Sequence, residues 1–125
     1  MTAVGTINAV VLDCPDPWGL ASFWSEVTGL PVADGGTDEW VELVAGAGGW
    51  QLAFQRVAAY EAPSWPDGVP QQAHLDVSVP SLKHAEAIVL GLGAKPLSDE
   101  GGADSAPWRV YADPAGHPFC LCTCR

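Results

Sequence analysis

Two short stretches of this chain hold the residues with the most chemical potential. His74 and Asp76 lie two apart in Gln71-Gln72-Ala73-His74-Leu75-Asp76-Val77-Ser78-Val79, and Cys120, Cys122 and Cys124 alternate near the C-terminus. In an extended chain, residues two apart share a face. An imidazole and a carboxylate therefore stand side by side, with Gln72 and Ser78 in the same row and Leu75, Val77 and Val79 behind them. His-x-Asp is a spacing that non-haem iron sites use, and the Cys120 thiolate would add a third donor. The competing reading is a pocket-wall imidazole hydrogen-bonded to Gln72 or Asp76. Catalysis by His74 with Cys120 would need an accessible thiol beside a cation, and no cation adjoins Cys120 in the sequence.

The alternating cysteines do not make a zinc finger, because no second Cys/His pair completes a tetrahedral set. Side chains two apart on a strand are roughly 6.5 Å from each other, near the upper limit for a disulfide. Reduced thiols are the expectation, as is usual in the cytosol. Other candidates are scattered. Six tryptophans exceed what two helix stripes can absorb, and Trp40, Trp50, Trp65 and Trp108 are available for a pocket wall or an interface. Asp13, Glu42 and Asp76 could supply negative charge to a cationic ligand. Arg109 and Tyr111 share the strand face opposite Trp108 and Val110, and Arg109 could clamp an anion from there. His84 falls on a helix surface and His117 in a turn, where a structural hydrogen bond is the simpler role.

With 125 residues, 48% of them hydrophobic, the chain suffices for one globular domain with a core. Fifteen acidic residues against five basic ones give a net charge of -10. That charge repels nucleic acid and anionic membranes. No apolar run approaches the ~20 residues that span a bilayer, and the first residues lack the basic region of a secretory signal. The expectation is a soluble cytoplasmic protein.

The elements that must position these residues follow from periodicity. A strand is expected over 7–14, then a helix over 17–28 with Asp16 as cap, Pro17 at its first position, and Leu20, Phe23, Trp24 and Val27 as its apolar stripe. Gly29 ends it. Strands are expected at 30–33, 39–45 and 50–57, the last two joined by Gly46-Ala47-Gly48-Gly49. Residues 58–70, with three prolines, form a linker. The pattern then recurs: a strand over 71–79, Ser81 as cap, and a stripe of Ala85, Ile88, Val89 and Leu92. These five residues lie 65 positions after Asp16, Leu20, Phe23, Trp24 and Val27. Strands near 95–97, 108–112 and 118–123 follow, with a turn region at 98–106 and another at Asp113-Pro114-Ala115-Gly116. Each half reads β-α-β-β-β, which makes an α+β domain of two modules, 1–57 and 71–125.

Paired βαβββ modules, Asp16…Phe23-Trp24…Gly29 in the first, and Asp113-Pro114-Ala115-Gly116-His117 before the last strand resemble the vicinal oxygen chelate superfamily, which includes glyoxalase, bleomycin-resistance and extradiol-dioxygenase proteins. Val11-Leu12-Asp13-Cys14-Pro15-Asp16-Pro17, Leu52-Ala53-Phe54-Gln55-Arg56-Val57 and Tyr111-Ala112-Asp113-Pro114-Ala115-Gly116-His117-Pro118-Phe119 are similar to its actinobacterial glyoxalase-like subgroup. The resemblance implies two tandem modules forming a curved, incompletely closed eight-stranded sheet around a cleft, and commonly a homodimer. It also implies four metal positions, which fall here on Ala9, on Ala53 or Gln55, on His74 and on Cys120. Alanine coordinates nothing, and a thiol in place of a carboxylate favours softer ions.

The function expected is therefore binding of an organic small molecule, with no cofactor and a degenerate metal site. The pocket candidates are Asp13, Trp40, Gln55, Gln72, His74, Asp76, Trp108, Arg109, Tyr111 and Cys120. The rival expectation is a lyase or dioxygenase with one divalent zinc, iron or manganese ion at His74, Asp76 and Cys120.

Overall fold

A computed structural model describes residues 3–98 and 107–123. The chain forms two compact units, one running to Tyr60 and the other from Glu61 onward. Unit one contains β1 (Ala9–Cys14), α1 (Pro17–Thr28), β2 (Trp40–Glu42) and β3 (Gln51–Arg56). Unit two contains β4 (Leu75–Ser78), α2 (Leu82–Gly91), β5 (Lys95–Pro96), β6 (Trp108–Ala112) and β7 (Pro118–Cys122). The architecture is α+β, with a three-stranded sheet ordered β1-β3-β2 and a four-stranded sheet ordered β4-β7-β6-β5. Among the described residues no helix is long and apolar enough to cross a membrane.

Among the described residues seven strands stand where eight are expected, because the 30–33 segment is reduced to a single bridge between Val32 and Leu43. Pro31 lacks the N–H that a ladder needs, and the αL residue Gly35 (φ 89) lies just beyond. What survives are two bonds, from Ala33 N–H to the Glu42 carbonyl and from Val44 N–H to the Pro31 carbonyl, both 2.8 Å. The expected turn region at 98–106 lies outside the described residues beyond Ser98.

Helix α1 starts and stops as its sequence dictates. The Asp16 side chain accepts from Gly19 N–H at 3.2 Å, Pro17 occupies the first turn, and Gly29 adopts φ 76, donating its N–H to the Ser25 carbonyl at 2.8 Å. Asp16→Ala should destabilise the protein by about 1 kcal/mol, read by urea denaturation, through loss of that cap. The stripe of α1 is buried at Leu20, Phe23 and Trp24 and packs over β2 and β3.

Helix α2 is capped by Ser81, whose hydroxyl accepts from His84 N–H, but its buried stripe differs from the expected one. Leu82 and Val89 are buried, Ala85 and Glu86 are half-buried, and Ile88 is 48% exposed. The face turned to the sheet is Leu82-Ala85-Glu86-Val89, an i, i+3, i+4, i+7 set that includes a carboxylate. A purely apolar stripe misses it because Glu86 is charged.

In each unit the first strand pairs in parallel with the last, and the two registers match. Val11 lies opposite Ala53 in unit one, and Asp76 lies opposite Cys120 in unit two. The β6–β7 turn is fixed by Asp113, whose Oδ1 accepts from Ala115 N–H and His117 N–H, both at 2.9 Å. One expectation about the cysteines fails. Cys14 and Cys120 are not disulfide-bonded, but Cys122 is, so the reduced state expected from a cytosolic setting does not describe it. Cys124 lies outside the described residues.

Candidate functional site

Alternation along three adjacent strands assembles one face of the second sheet. Asp76, Cys120 and Val110 form one row across β4, β7 and β6, and Ser78, Cys122 and Trp108 form the next. His74 sits one residue before β4. This face lines a cavity of about 370 Å³ whose walls include Val110, Pro118, Phe119 and Trp108, with His74, Asp76 and Cys120 as a polar group. Trp65 and Gln71, from the segment leading into β4, also line it. All of these residues belong to unit two.

The polar group is a hydrogen-bonded cluster. His74 Nε2 lies 3.1 Å from Asp76 Oδ1, with both side chains partly open to solvent. The Cys120 thiol, hydrogen-bonded to Asp76, is pushed up to about 11 by burial first and then by the Asp76 charge and hydrogen bond. Its proton stays on sulfur at neutral pH, so Cys120 is not a nucleophile there. Alkylation of Cys120 by iodoacetamide, followed by peptide mass spectrometry, should be about a hundredfold slower at pH 8 than for an unperturbed thiol and should rise with pH toward 11. Asp76→Asn removes the neighbouring negative charge, so the thiolate should form at lower pH and the same assay should speed up.

The same three side chains form a donor set. One ligand atom from each of His74, Asp76 and Cys120 lies within 4.8 Å of the other two. The repeat gives their counterparts in unit one as Ala9, Val11 and Ala53, and the matched registers confirm the equivalence. None of these carries a donor atom. Gln55 lies two residues beyond Ala53, in the row with Asp13 and Trp40. Imidazole, carboxylate and thiolate from one module suit a borderline ion such as zinc, with three protein ligands and one open position. They do not reproduce a four-position set shared between two modules.

The remaining predicted residues separate into groups. Asp13, Gln55 and Trp40 are adjacent across β1, β3 and β2 in unit one, where Trp40 Nε1–H donates to Glu42 at 2.9 Å. By register, this row is the counterpart of Ser78, Cys122 and Trp108, so Trp40 and Trp108 are equivalent positions in the two modules.

Arg109 and Tyr111 are not on the cavity face. They point to α2, where Arg109 Nη1 lies 3.1 Å from Glu86 Oε2 and the Tyr111 hydroxyl donates to the same oxygen at 3.0 Å. Burial, and then the bond to Glu86, hold the Tyr111 phenol well above its usual pKa. The anion clamp expected of Arg109 is thus replaced by an internal ion pair. The carboxylate in the α2 stripe was the signal for it.

Gln72 does not line the cavity, whereas Gln71 does. The chain bends at Gln72 and β4 begins only at Leu75, so strand alternation cannot be carried back that far. Gln71 could have been found only from the bend.

A family model described as a glyoxalase-like domain matches residues 9–122. No curated protein matches the chain significantly. Among solved structures, a glyoxalase/bleomycin resistance protein/dioxygenase family enzyme from Burkholderia phytofirmans is similar at 16% identity and TM-score 0.67, over 94% of this chain and 97% of that one. A glyoxalase family protein from Enterococcus faecalis is similar at 20% identity and TM-score 0.64, over 95% and 98%. A genomically encoded fosfomycin resistance protein from Listeria monocytogenes is similar at 10% identity and TM-score 0.68, over 99% and 94%. At these identities the structural likeness concerns the fold.

Proposed function

The chain belongs to the glyoxalase-like domain family of the vicinal oxygen chelate superfamily, and on that premise we propose that it binds an organic small molecule in the cavity of its second unit, without the superfamily's four-ligand metal centre. The observation that carries this reading is the cavity itself. Its volume of about 370 Å³ falls within the range of small-molecule sites, and its walls are mostly apolar and aromatic with a few convergent polar groups. The Asp76 carboxylate supplies acceptors that orient a ligand, and the Cys120 thiol, hydrogen-bonded to Asp76, does not attack it.

A thermal-shift screen against glycopeptide, aromatic and quinone-like compounds tests the reading. A ligand at a hundred times its Kd stabilises the folded state by about 2.7 kcal/mol, a shift of several degrees for a domain of this size. Trp108 is 45% exposed, so Trp108→Ala should leave the midpoint of the free protein nearly unchanged and abolish most of the ligand-induced shift. If no compound moves the wild-type midpoint, the binding function fails.

The convergence of three donors within 4.8 Å favours one second reading, a lyase or dioxygenase that holds a divalent ion at His74, Asp76 and Cys120. Such an ion would polarise a substrate oxygen. The side chains themselves would fix its position, and Cys120 would have to surrender its proton to bind it. Elemental analysis of protein purified without chelators separates the two readings. About one ion per chain, lost in His74→Ala, would establish the metal-dependent one.

A further inference from the structure

Resting on the small-molecule reading, we propose that the cavity is selective for a flat aromatic cation bearing N–H donors, with Gln71 Oε1 and the Asp76 carboxylate as its two recognition points. Gln71 Oε1 is a buried acceptor with no hydrogen-bond partner, and Gln71 lines the cavity. An unpaired buried carbonyl destabilises the free protein. A ligand N–H would relieve it.

The other polar groups of the cavity select in the same direction. His74 Nε2 approaches Asp76 at 3.1 Å and the Cys120 thiol is hydrogen-bonded to it, so these two hydrogens are committed inside the cluster. What the cavity offers a ligand is acceptor and negative charge. No lysine or arginine is among its described lining residues, and the arginine on the same sheet is held on the opposite face by Glu86. An anionic ligand would meet the Asp76 carboxylate, with no described lysine or arginine beside it, in a chain of net charge -10. Trp65 and Trp108 provide aromatic surface in the walls, which attracts cations to its faces and stacks on planar rings.

Three probes of one shape test the inference: 9-aminoacridine as the cation with an amino donor, acridone as the neutral form, and anthracene-9-carboxylate as the anion, each titrated calorimetrically. The cation should bind at least about tenfold more tightly than either of the others, the scale of one charge-assisted hydrogen bond. Asp76→Asn, at an exposed side chain, should weaken the cation by about tenfold and reduce its dependence on salt. Gln71→Leu should raise the thermal midpoint of the free protein, because the orphaned acceptor is gone, and yet weaken 9-aminoacridine.

If acridone or anthracene-9-carboxylate binds as tightly as the cation, the selectivity is wrong while the cavity remains a binding site. Cation binding unaffected by both variants also overturns the inference. So does the absence of binding by all three probes, in which case the wider ligand screen decides the cavity's role separately.

Discussion

Glu86→Ala is expected to destabilise this protein by about 3–5 kcal/mol, although it removes a surface-type residue from a short helix. Glu86 accepts from Arg109 Nη1 at 3.1 and 3.4 Å and from the Tyr111 hydroxyl at 3.0 Å. The Arg109 side chain is only 11% exposed and the Glu86 side chain 23%. Arg109 Nε is already buried without a partner. Removing the carboxylate leaves a desolvated guanidinium with no counter-charge and a buried phenol with no acceptor, and each loss costs more than the pair itself contributes. Glu86→Gln, which keeps an acceptor and the side-chain volume, should cost less. The double variant Glu86→Leu with Arg109→Met should recover most of the loss, because replacing a buried pair by apolar groups is often neutral. Guanidinium denaturation checks all three, provided the dependence on denaturant stays that of the wild type. A loss below about 1 kcal/mol for Glu86→Ala would mean that water reaches Arg109 freely.

Trp24→Ala carries a penalty of the same size, about 3–5 kcal/mol, for a different reason. Trp24 is 1% exposed and meets Phe23 edge-on, with ring centroids 5.3 Å apart and planes at 87°. It is among the largest fully buried side chains of the described chain. Truncation removes transfer energy and leaves a void that the helix can close only in part. Against a typical total stability of 5–15 kcal/mol, the midpoint of thermal unfolding should fall by on the order of 10–20 °C. Val89 holds the equivalent place in the repeat and is also buried, at 3% exposure. Val89→Ala deletes far fewer atoms and should shift the midpoint much less. Equal shifts at the two positions would show that the modules share one cooperative limit rather than differing in core size.

The parts of this protein that were legible in the sequence are those set by local chemistry. Asp16, Pro17 and Gly29 fix α1 at both ends, Ser81 fixes the start of α2, and the recurrence at a spacing of 65 gives the β-α-β-β-β order that the second unit shows in full and the first shows with one strand reduced to a bridge. The juxtaposition of His74 and Asp76 follows from strand period two. What was not legible depends on partners distant in sequence. The placement of Arg109 and Tyr111 toward α2 is a matter of which sheet face the helix covers, and no local pattern around Trp108–Ala112 states it. Ile88 repeats the position of Phe23, yet the first is exposed and the second buried, because a repeat conserves spacing and not the depth at which a helix is seated. Gln71 and Trp65 reach the cavity from an irregular segment, where periodicity has nothing to act on.

The parallel pairing of first with last strand in each unit also bears on how the chain acquires its structure. Ala9 meets a partner 42 positions away at Gln51, and Leu75 meets one 44 positions away at Phe119. The entropy of closing such loops grows only with the logarithm of their length, so the two closures differ by less than about 0.1 kcal/mol. Any difference in how fast the two sheets form must then come from side chains, and the aromatic core under α1 favours the first. None of the described strand pairings crosses from one unit to the other. A nascent chain therefore holds every strand of its first sheet once Arg56 has emerged from the ribosome, and it can complete that ladder before β4 emerges.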